Sequence, residues 1–368
     1  MKAGRRIRTT YGAVFLIISL VYILSVQGSD EFQITDDTKD QKSPAIYGDI
    51  VVWQDYRNGN WDIYGYNLLT KEEFQVTTDP SDQFSPQIYE DVIVWEDRRN
   101  GCTDIYGYNL VTQEEFQITE NPYNQTDPVI YGNFVIFSDR RTPKDDIYGY
   151  DLTTKEEFPI TTDPGTQWYP AIYENIVVWH GWMKKNEGVY GYNLTTEEHF
   201  AIATRGGMHG RRASIHGNIV VWAELGKERE GIFGLNLLTE EEFSILGTEE
   251  EFSIFSWSPV IYGDYVVWDD EEEPNSNIYG YNLSTGQLFQ IVTSGGSQRS
   301  PAIYEDIIVW EDDRNGNLDI YGCSLECVEY YQEDDEDDED DRGSCSGTLF
   351  VACIFLVLTW KGSDPLLK

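Results

Sequence analysis

The stretch PAIYGDIVVWQDYRNGNWDIYGYNLLTKEEFQVT, Pro44 to Thr77, decides the architecture. Four short runs rich in β-branched and aromatic residues alternate with turn signals: A (Ala45 to Tyr47), B (Ile50 to Asp55), C (Asp62 to Leu68) and D (Glu73 to Thr77). Gly48 and Asp49 turn A into B. Asn58 and Gly59, a pair that readily adopts positive φ, turn B into C. The pattern predicts an antiparallel meander. Run B, Ile50-Val51-Val52-Trp53, shows no polar alternation, so both faces of the sheet are expected to be covered.

The unit recurs along the chain. Its isoleucine anchors stand at Ile46, Ile88, Ile130, Ile172, Ile215, Ile261 and Ile303, at spacings of 42, 42, 42, 43, 46 and 42 residues. Seven small modules that each need a neighbour on both faces predict an all-β chain, a seven-bladed β-propeller of four-stranded antiparallel blades. The aromatic ending run B (Trp53, Trp95, Phe137, Trp179, Trp222, Trp268 and Trp310) is expected at the blade interfaces. The seventh copy stops after run C at Leu325, and the missing D run stands at the other end, as Glu31-Phe32-Gln33-Ile34-Thr35. The N-terminal strand is therefore expected to complete blade seven, leaving no open sheet edge between the first and last modules.

The flanks set the expected domain plan. Lys2, Arg5, Arg6 and Arg8 precede an apolar run from Tyr11 to Val26, so residues 1–28 read as a signal peptide or an N-terminal membrane segment. Residues 29–327 form the propeller, and 328–346 an acidic stalk holding nine consecutive acids from Glu333 to Asp341. Residues 347–361 read as a C-terminal hydrophobic anchor or a processed sorting segment, with 362–368 a short tail. As a helix, Thr348 to Trp360 would reach about 20 Å against roughly 30 Å of bilayer hydrocarbon. The expected location is the extracellular face of the cell membrane.

Acidic residues outnumber basic ones 65 to 26, which argues against a nucleic-acid partner and suits a saline or cation-rich exterior. Five cysteines without a CxxC pair give no disulfide framework or zinc site.

The signature WxDxRNGxxDIYGYNL, at Trp53 to Leu68, Trp95 to Leu110 and in altered form at Trp310 to Leu325, resembles the repeats of TolB-type propellers. More closely it resembles the propeller repeats of archaeal cell-surface proteins, particularly those of methanogens. The resemblance covers residues 31–325 and implies a surface protein engaged in adhesion or envelope architecture.

The D-to-A loops converge on one mouth of a propeller's axis. Gln41, Gln83, Gln125, Gln167 and Gln298 recur there just before run A, while the next position varies as Lys42, Phe84, Thr126, Trp168, Arg211, Trp257 and Arg299. A varied rim on a constant scaffold suits stacking on sugars or holding a peptide or carboxylate. The expected ligand-binding rim is Lys42, Phe84, Gln125, Gln167, Trp168, Arg211, Trp257 and Arg299, set against the plainer reading that these residues cap the inner strands. Glutamine rather than Asp or Glu recurs at the rim, so no acid–base pair is legible and no catalytic residue is assigned. The leading expectation is a non-catalytic adhesion module for an envelope glycan or protein. The alternatives are a propeller-type polysaccharide lyase or glycosidase, or a purely structural envelope component.

The loops Asp55 to Asp62, Asp97 to Asp104 and Asp313 to Asp319 are rich enough in oxygen to take Ca2+ but lack the EF-hand order. An Asp–Arg salt bridge capping the turn is the simpler reading, so no metal or other cofactor is assigned. His180, His199, His209 and His216 lie within 37 residues in the least regular copies, yet at opposite ends of their blades. Asn124, Asn193 and Asn282 head candidate glycosylation sequons.

Overall fold

The computed structural model describes residues 31–204, 212–225, 230–247, 258–272, 275–291 and 295–325. Twenty-eight strands, β1 to β28 in chain order, form seven four-stranded antiparallel sheets, the seven blades expected. Blade 1 is β2 (Gln41–Tyr47), β3 (Ile50–Asp55), β4 (Asp62–Asn67) and β5 (Glu72–Gln75). The first strand is longer than run A, because Gln41 and Lys42 already pair with Asp55 and Gln54. A bulge at Ser43, φ 54°, shifts the register before Ala45 meets Val52. Pro44 lacks an N–H and reads as a strand breaker, but the bulge seats it without ending the strand.

The second strands are sealed on both faces: Val51, Val52 and Trp53 have no exposed surface. Their alternation sends Val52 and Ile63 into the interface with blade 2 beside Trp95, and Val51 and Trp53 into the interface with blade 7 beside Val309. The expected aromatic position is core throughout, with Trp268, at 2 % exposure, the least covered. In each blade a glycine of the third strand lies beneath a phenylalanine of the fourth, as Gly107 does beneath Phe116, so the ring covers the site a side chain would occupy.

Closure follows the expected route. β1 (Phe32–Gln33) pairs with β28 (Asp319–Ser324), Phe32 opposite Gly322 and Gln33 opposite Tyr321. The Ile34 amide donates to the Ile320 carbonyl at 2.8 Å, the Ile320 amide to Thr35 Oγ1 at 2.8 Å, and Glu31 meets Arg314.

At the end of the axis where first strands turn into second strands, their last residues form a closed ring of their own. It runs from Tyr47 through Tyr89, Tyr131, Tyr173, His216, Tyr262 and Tyr304 back to Tyr47, with neighbouring centroids 4.4–5.0 Å apart.

The expected signal or N-terminal membrane segment (1–28), stalk (328–346), hydrophobic segment (347–361) and tail (362–368) lie outside the described residues, as do Cys327, Cys345 and Cys353. No helix among the described residues is long and apolar enough to cross a membrane, and nothing described supports anchorage.

Candidate functional site

The RNG loops hold the blades together. Asp55, fully buried, accepts from Trp53 Nε1 at 3.0 Å, from the Arg57 amide at 2.9 Å and from the Arg57 guanidinium at 2.6 Å. Arg57 lies 4.3 Å over the ring of Tyr64 and reaches Glu73 on the fourth strand. Blades 2 and 7 repeat this through Asp97–Arg99 and Asp312–Arg314. Asp62 accepts from Asn58 at 2.8 Å and Asn60 at 3.0 Å, closing the loop, while burial pushes its carboxyl pKa up. These carboxylates are the salt bridges and turn caps that the loop pattern suggested.

The rim residues do not meet in one place. Lys42 pairs with Asp40 at 3.4 Å and sits over Trp61; Phe84 lies under Arg98; Arg299 pairs with Asp313 at 3.4 Å. Arg211 and Trp257 lie outside the described residues. Gln125 and Gln167 are not on the surface, and neither are Gln41, Gln83 and Gln298; all five are fully buried. They tie down the loop before their strand, as when Gln83 accepts from Thr77 Oγ1 at 2.9 Å and donates to the Ser81 carbonyl at 2.6 Å.

The arrangement that draws chemistry together arises one strand further out. In three blades the residue after the buried aromatic of the second strand reaches across to the bulge of the next blade. Glu311 accepts the Ser43 amide at 2.7 Å, Gln54 the Ser85 amide at 2.9 Å and Glu96 the Asp127 amide at 2.9 Å. These clasps join blades 7 to 1, 1 to 2 and 2 to 3. Burial pushes the pKa of Glu96 and of Glu311 up, although both accept a backbone hydrogen bond.

From blade 3 to blade 4 the equivalent residue is Ser138, too short to reach the bulge at Tyr169. Its Oγ is buried and makes no hydrogen bond. At this junction lies a cavity of about 310 Å3, lined by Asn124, Thr126, Asp127, Ser138, Arg140, Asp145, Trp168 and Tyr169. Asp127 and Asp145 share it in different settings. Burial pushes the Asp127 carboxyl up, the Asp145 charge adding to the shift, while Arg212 and Thr126 oppose it. Arg212 reaches Asp127 from blade 5 at 3.5 Å and covers the Tyr169 ring at 5.0 Å. Asp145 is gripped by Arg140 in a two-point pair at 2.9 and 3.2 Å. An acid whose carboxyl pKa burial pushes up, an ion-paired carboxylate, Arg140 and two aromatic faces thus surround one space, with Arg212 set against Asp127 and Tyr169. That is the equipment of acid–base chemistry on a polar, ring-shaped substrate.

Of the expected rim residues, only Trp168 and the varied residue Thr126 line this cavity. Asp127 escaped the sequence reading because it sits one residue past the rim position, where other copies carry Ser43, Ser85 or Ser300. The one signal was Ser138 where the flanking copies carry Gln54, Glu96 and Glu311, and that signal is weak because blades 4 to 6 also depart, with His180, Ala223 and Asp269.

The histidines are dispersed. His180 stacks edge-on against Trp168 and lies 3.8 Å from Glu187, His199 bonds the Ile160 carbonyl at 2.8 Å, and His216 belongs to the axial ring. His209 lies outside the described residues. Among the sequons, Asn282 is buried and the Asn193 carbonyl oxygen caps its own turn, accepting the Thr195 and Thr196 amides. Asn124 is exposed, at the cavity edge.

No family model matches the chain, and no curated protein matches it. Solved structures do. An oligogalacturonate lyase in complex with manganese shares 15 % identity, over 83 % of this chain and 95 % of that one, at a TM-score of 0.61. The β-propeller domain of the Trilobed protease from Pyrococcus furiosus, described as having an open velcro topology, shares 12 % over 82 % of this chain and 100 % of that one, at 0.61. A puromycin-hydrolysing peptidase from Mycobacterium tuberculosis shares 12 % over 80 % of this chain and 53 % of that one, at 0.63. At these identities the likeness shows the fold: this is a β-propeller repeat protein. An archaeal origin and a cell-surface role, implied by the repeat signature, gain no support from these structures.

The expectation of a non-catalytic protein needs correcting. These similar structures are of enzymes or of a protease's propeller domain. The sequence argument against catalysis, that no acid–base pair stands at the rim, also fails at the blade 3–4 cleft, where Asp127 and Asp145 face one cavity. Among the described residues, no group of three or more His, Cys, Asp or Glu side chains is placed to hold a metal ion, so the manganese of the lyase has no matching ligand set there.

Proposed function

We propose that the chain is a saccharide-cleaving enzyme of the propeller-lyase kind, acting on a uronate-containing glycan in the cleft between blades 3 and 4. The observation that carries this reading is the meeting of Asp127, Asp145, Arg140, Trp168 and Tyr169 at one cavity, with Arg212 against Asp127 and Tyr169. A sugar ring stacks on the aromatic wall. Burial draws Asp127 toward its protonated form, which leaves Arg212 positive charge to hold the uronate carboxylate. Asp145 takes the proton from C5, the C4–O4 bond breaks as the C4=C5 double bond forms, and Asp127 gives its proton to the departing oxygen. Solvent then returns the proton from Asp145 to Asp127. The likeness to an oligogalacturonate lyase supports elimination over hydrolysis. An envelope or extracellular glycan as substrate suits the acidic composition.

The test incubates the protein with polygalacturonate and alginate, and with a neutral glucan as control, each with and without manganese. The ultraviolet absorbance of an unsaturated uronate is expected from at least one acidic chain, and its loss in Asp127→Asn and in Asp145→Asn. New reducing ends without that absorbance would mean hydrolysis, and no cleavage of any uronate chain would refute the proposal.

A further inference from the structure

The clasps between blades supply the protein's own template for a ligand. The bulges at Ser43, Ser85, Asp127 and Tyr169 share one backbone geometry, with φ of 50–55° and the same shift of register behind each. Their amides are therefore turned the same way, toward the second strand of the preceding blade. Three of them meet a side-chain oxygen there: Ser43 the carboxylate of Glu311, Ser85 the amide oxygen of Gln54, and Asp127 the carboxylate of Glu96. Burial raises the Glu96 pKa, a rise opposed by the Asp127 amide and by the charges of Arg98 and Arg212.

At Tyr169 the donor is kept and the acceptor is gone. Ser138 stands in the acceptor's place, and its hydroxyl, on a residue only 2 % exposed, makes no hydrogen bond. The cation is kept as well. Arg140 follows the buried Asp139 as Arg98 follows Asp97, its amide donating to the Asn124 carbonyl as that of Arg98 donates to the Asp82 carbonyl. Arg140, Ser138 and Tyr169 line the same cavity. His180, Ala223 and Asp269 hold the clasp position in blades 4 to 6, so a missing Glu or Gln is not by itself a site. The blade 3–4 junction is set apart by its cavity of about 310 Å3 and by the buried, unbonded hydroxyl that lines it.

We propose that this slot binds the carboxylate of a sugar acid in the place that Glu96 and Glu311 fill with their own, one oxygen accepting the Tyr169 amide and the other the Ser138 hydroxyl. Two donors turned to one carboxylate, a guanidinium beside them and the Trp168 ring along the wall fit that chemistry. A methyl ester or a neutral hexose brings no charged oxygen to the two donors. On the lyase reading, on which this further step rests, Arg212 holds the carboxylate of the sugar being cleaved. The slot then takes that of a neighbouring sugar, and the substrate class narrows to glycans with contiguous uronates.

The experiment titrates protein isotope-labelled at its tyrosine amides with D-galacturonate, which has no glycosidic bond to cleave, and with its methyl ester, D-galactose and acetate. The Tyr169 amide resonance is followed by NMR and assigned by its absence from Tyr169→Phe. D-galacturonate is expected to bind and to move that resonance downfield, as a new hydrogen bond does. The ester and galactose should leave it in place, and acetate, with no ring to stack on Trp168, should bind more weakly. Ser138→Ala removes one donor to a charged oxygen and should weaken galacturonate by about tenfold or more. Ser138→Glu supplies the carboxylate from the protein, so the resonance should be displaced before ligand is added and respond to none. The proposal is overturned if galacturonate at tens of millimolar leaves the Tyr169 amide unmoved, if the ester or acetate acts equally, or if both Ser138 variants bind as the wild type does. Galacturonate bound at Tyr169 in a protein that cleaves no uronate chain would keep this site and refute the lyase; cleavage with a Tyr169 amide indifferent to galacturonate would do the reverse. Contiguity is tested by rate: polygalacturonate should be cleaved about tenfold or more faster than a glycan alternating uronate with neutral sugar, and equal rates overturn it.

Discussion

The glycine beneath each phenylalanine gives the sharpest test of ring closure. A Cβ built on Gly322 would stand 2.9 Å from Cε2 and from Cζ of Phe32, and 3.2 Å from the Ile308 carbonyl oxygen. Carbon atoms rest at about 3.5–4.0 Å, so Gly322→Ala pushes the Phe32 ring outward by roughly 0.6–1 Å. Overpacking of this kind costs about 1–3 kcal/mol. At about 2 °C per kcal/mol for a chain larger than 250 residues, the melting temperature should fall by about 2–6 °C. The same clash in blade 2, Gly107→Ala against Phe116 at 2.7 Å, strains a strand tied to its neighbour by a short turn. In blade 7 the displaced strand is β1, joined to β28 through the space of the fold and not through a hairpin. Circular-dichroism melts would measure the loss. Amide exchange would locate it, because the Ile320 amide is protected by Thr35 Oγ1 at 2.8 Å. Gly322→Ala should raise exchange at Ile320, whereas Gly107→Ala should leave it protected. A Gly322→Ala protein that melts with the wild type and keeps Ile320 protected would refute the closure argument.

Arg99→Ala leaves the fully buried Asp97 without its guanidinium and should cost about 3–5 kcal/mol in urea unfolding; a loss within 1 kcal/mol, on the order expected of a surface pair, would contradict the role given to the RNG loops. Ser138→Gln restores the length of the clasp toward Tyr169, so it should melt at or above the wild-type temperature while abolishing uronate cleavage; retained activity would move the site elsewhere. Glu96 and Glu311 have raised pKa values, so the folded state binds their protons more tightly than the unfolded chain does. Their stabilisation is fully present below the unfolded carboxyl value of about 4.3 and is lost as the pH rises through the folded values. Melting temperatures should therefore rise as the pH is lowered from neutrality toward about 5, and Glu96→Gln/Glu311→Gln should flatten that rise; an unchanged slope counts against the clasp assignment. Mass spectrometry of protein secreted from a glycosylating host should find a glycan at Asn124 and none at the turn-capping Asn193 or the buried Asn282.

What could be read in advance depended on how far each feature reaches along the chain. The seven anchors, the unbroken apolar run of the second strand and the displaced D run near the N-terminus are local patterns, and each appears in the fold as expected. The first strand was read too short because Pro44 hides a bulge whose geometry lies in the backbone. The rim glutamines differ from the expected surface groups because polarity alone does not distinguish a solvent-facing amide from one buried against its own loop. The tyrosine ring and the cleft were hidden for a different reason. Tyr47 and Tyr304, or Asp127 and Arg212, are far apart in sequence and meet only when the blades are wound about an axis. Repetition reveals that a position is constant; it does not reveal that the constant positions touch.

The cleft follows from what the repeat leaves out. Three successive clasps, from Glu311, Gln54 and Glu96, bind each blade to the bulge of the next, and the last of them fixes the backbone of Asp127 itself. One blade later the clasp residue is Ser138, which makes no such bond, and at that junction lies a cavity. The acid therefore stands on the anchored side of the gap, its amide held at 2.9 Å, and the aromatic wall of Trp168 and Tyr169 stands on the side that no clasp from Ser138 reaches. Chemistry rewards a preorganised proton donor. Recognition of a varied glycan rewards a wall whose residues can differ without disturbing that donor. Ser138 stands where the three preceding clasps carry Glu or Gln, but His180, Ala223 and Asp269 also depart, so the physical reason to seek the activity at the blade 3–4 junction is the shortened residue together with the Asp127, Asp145 and aromatic lining found there.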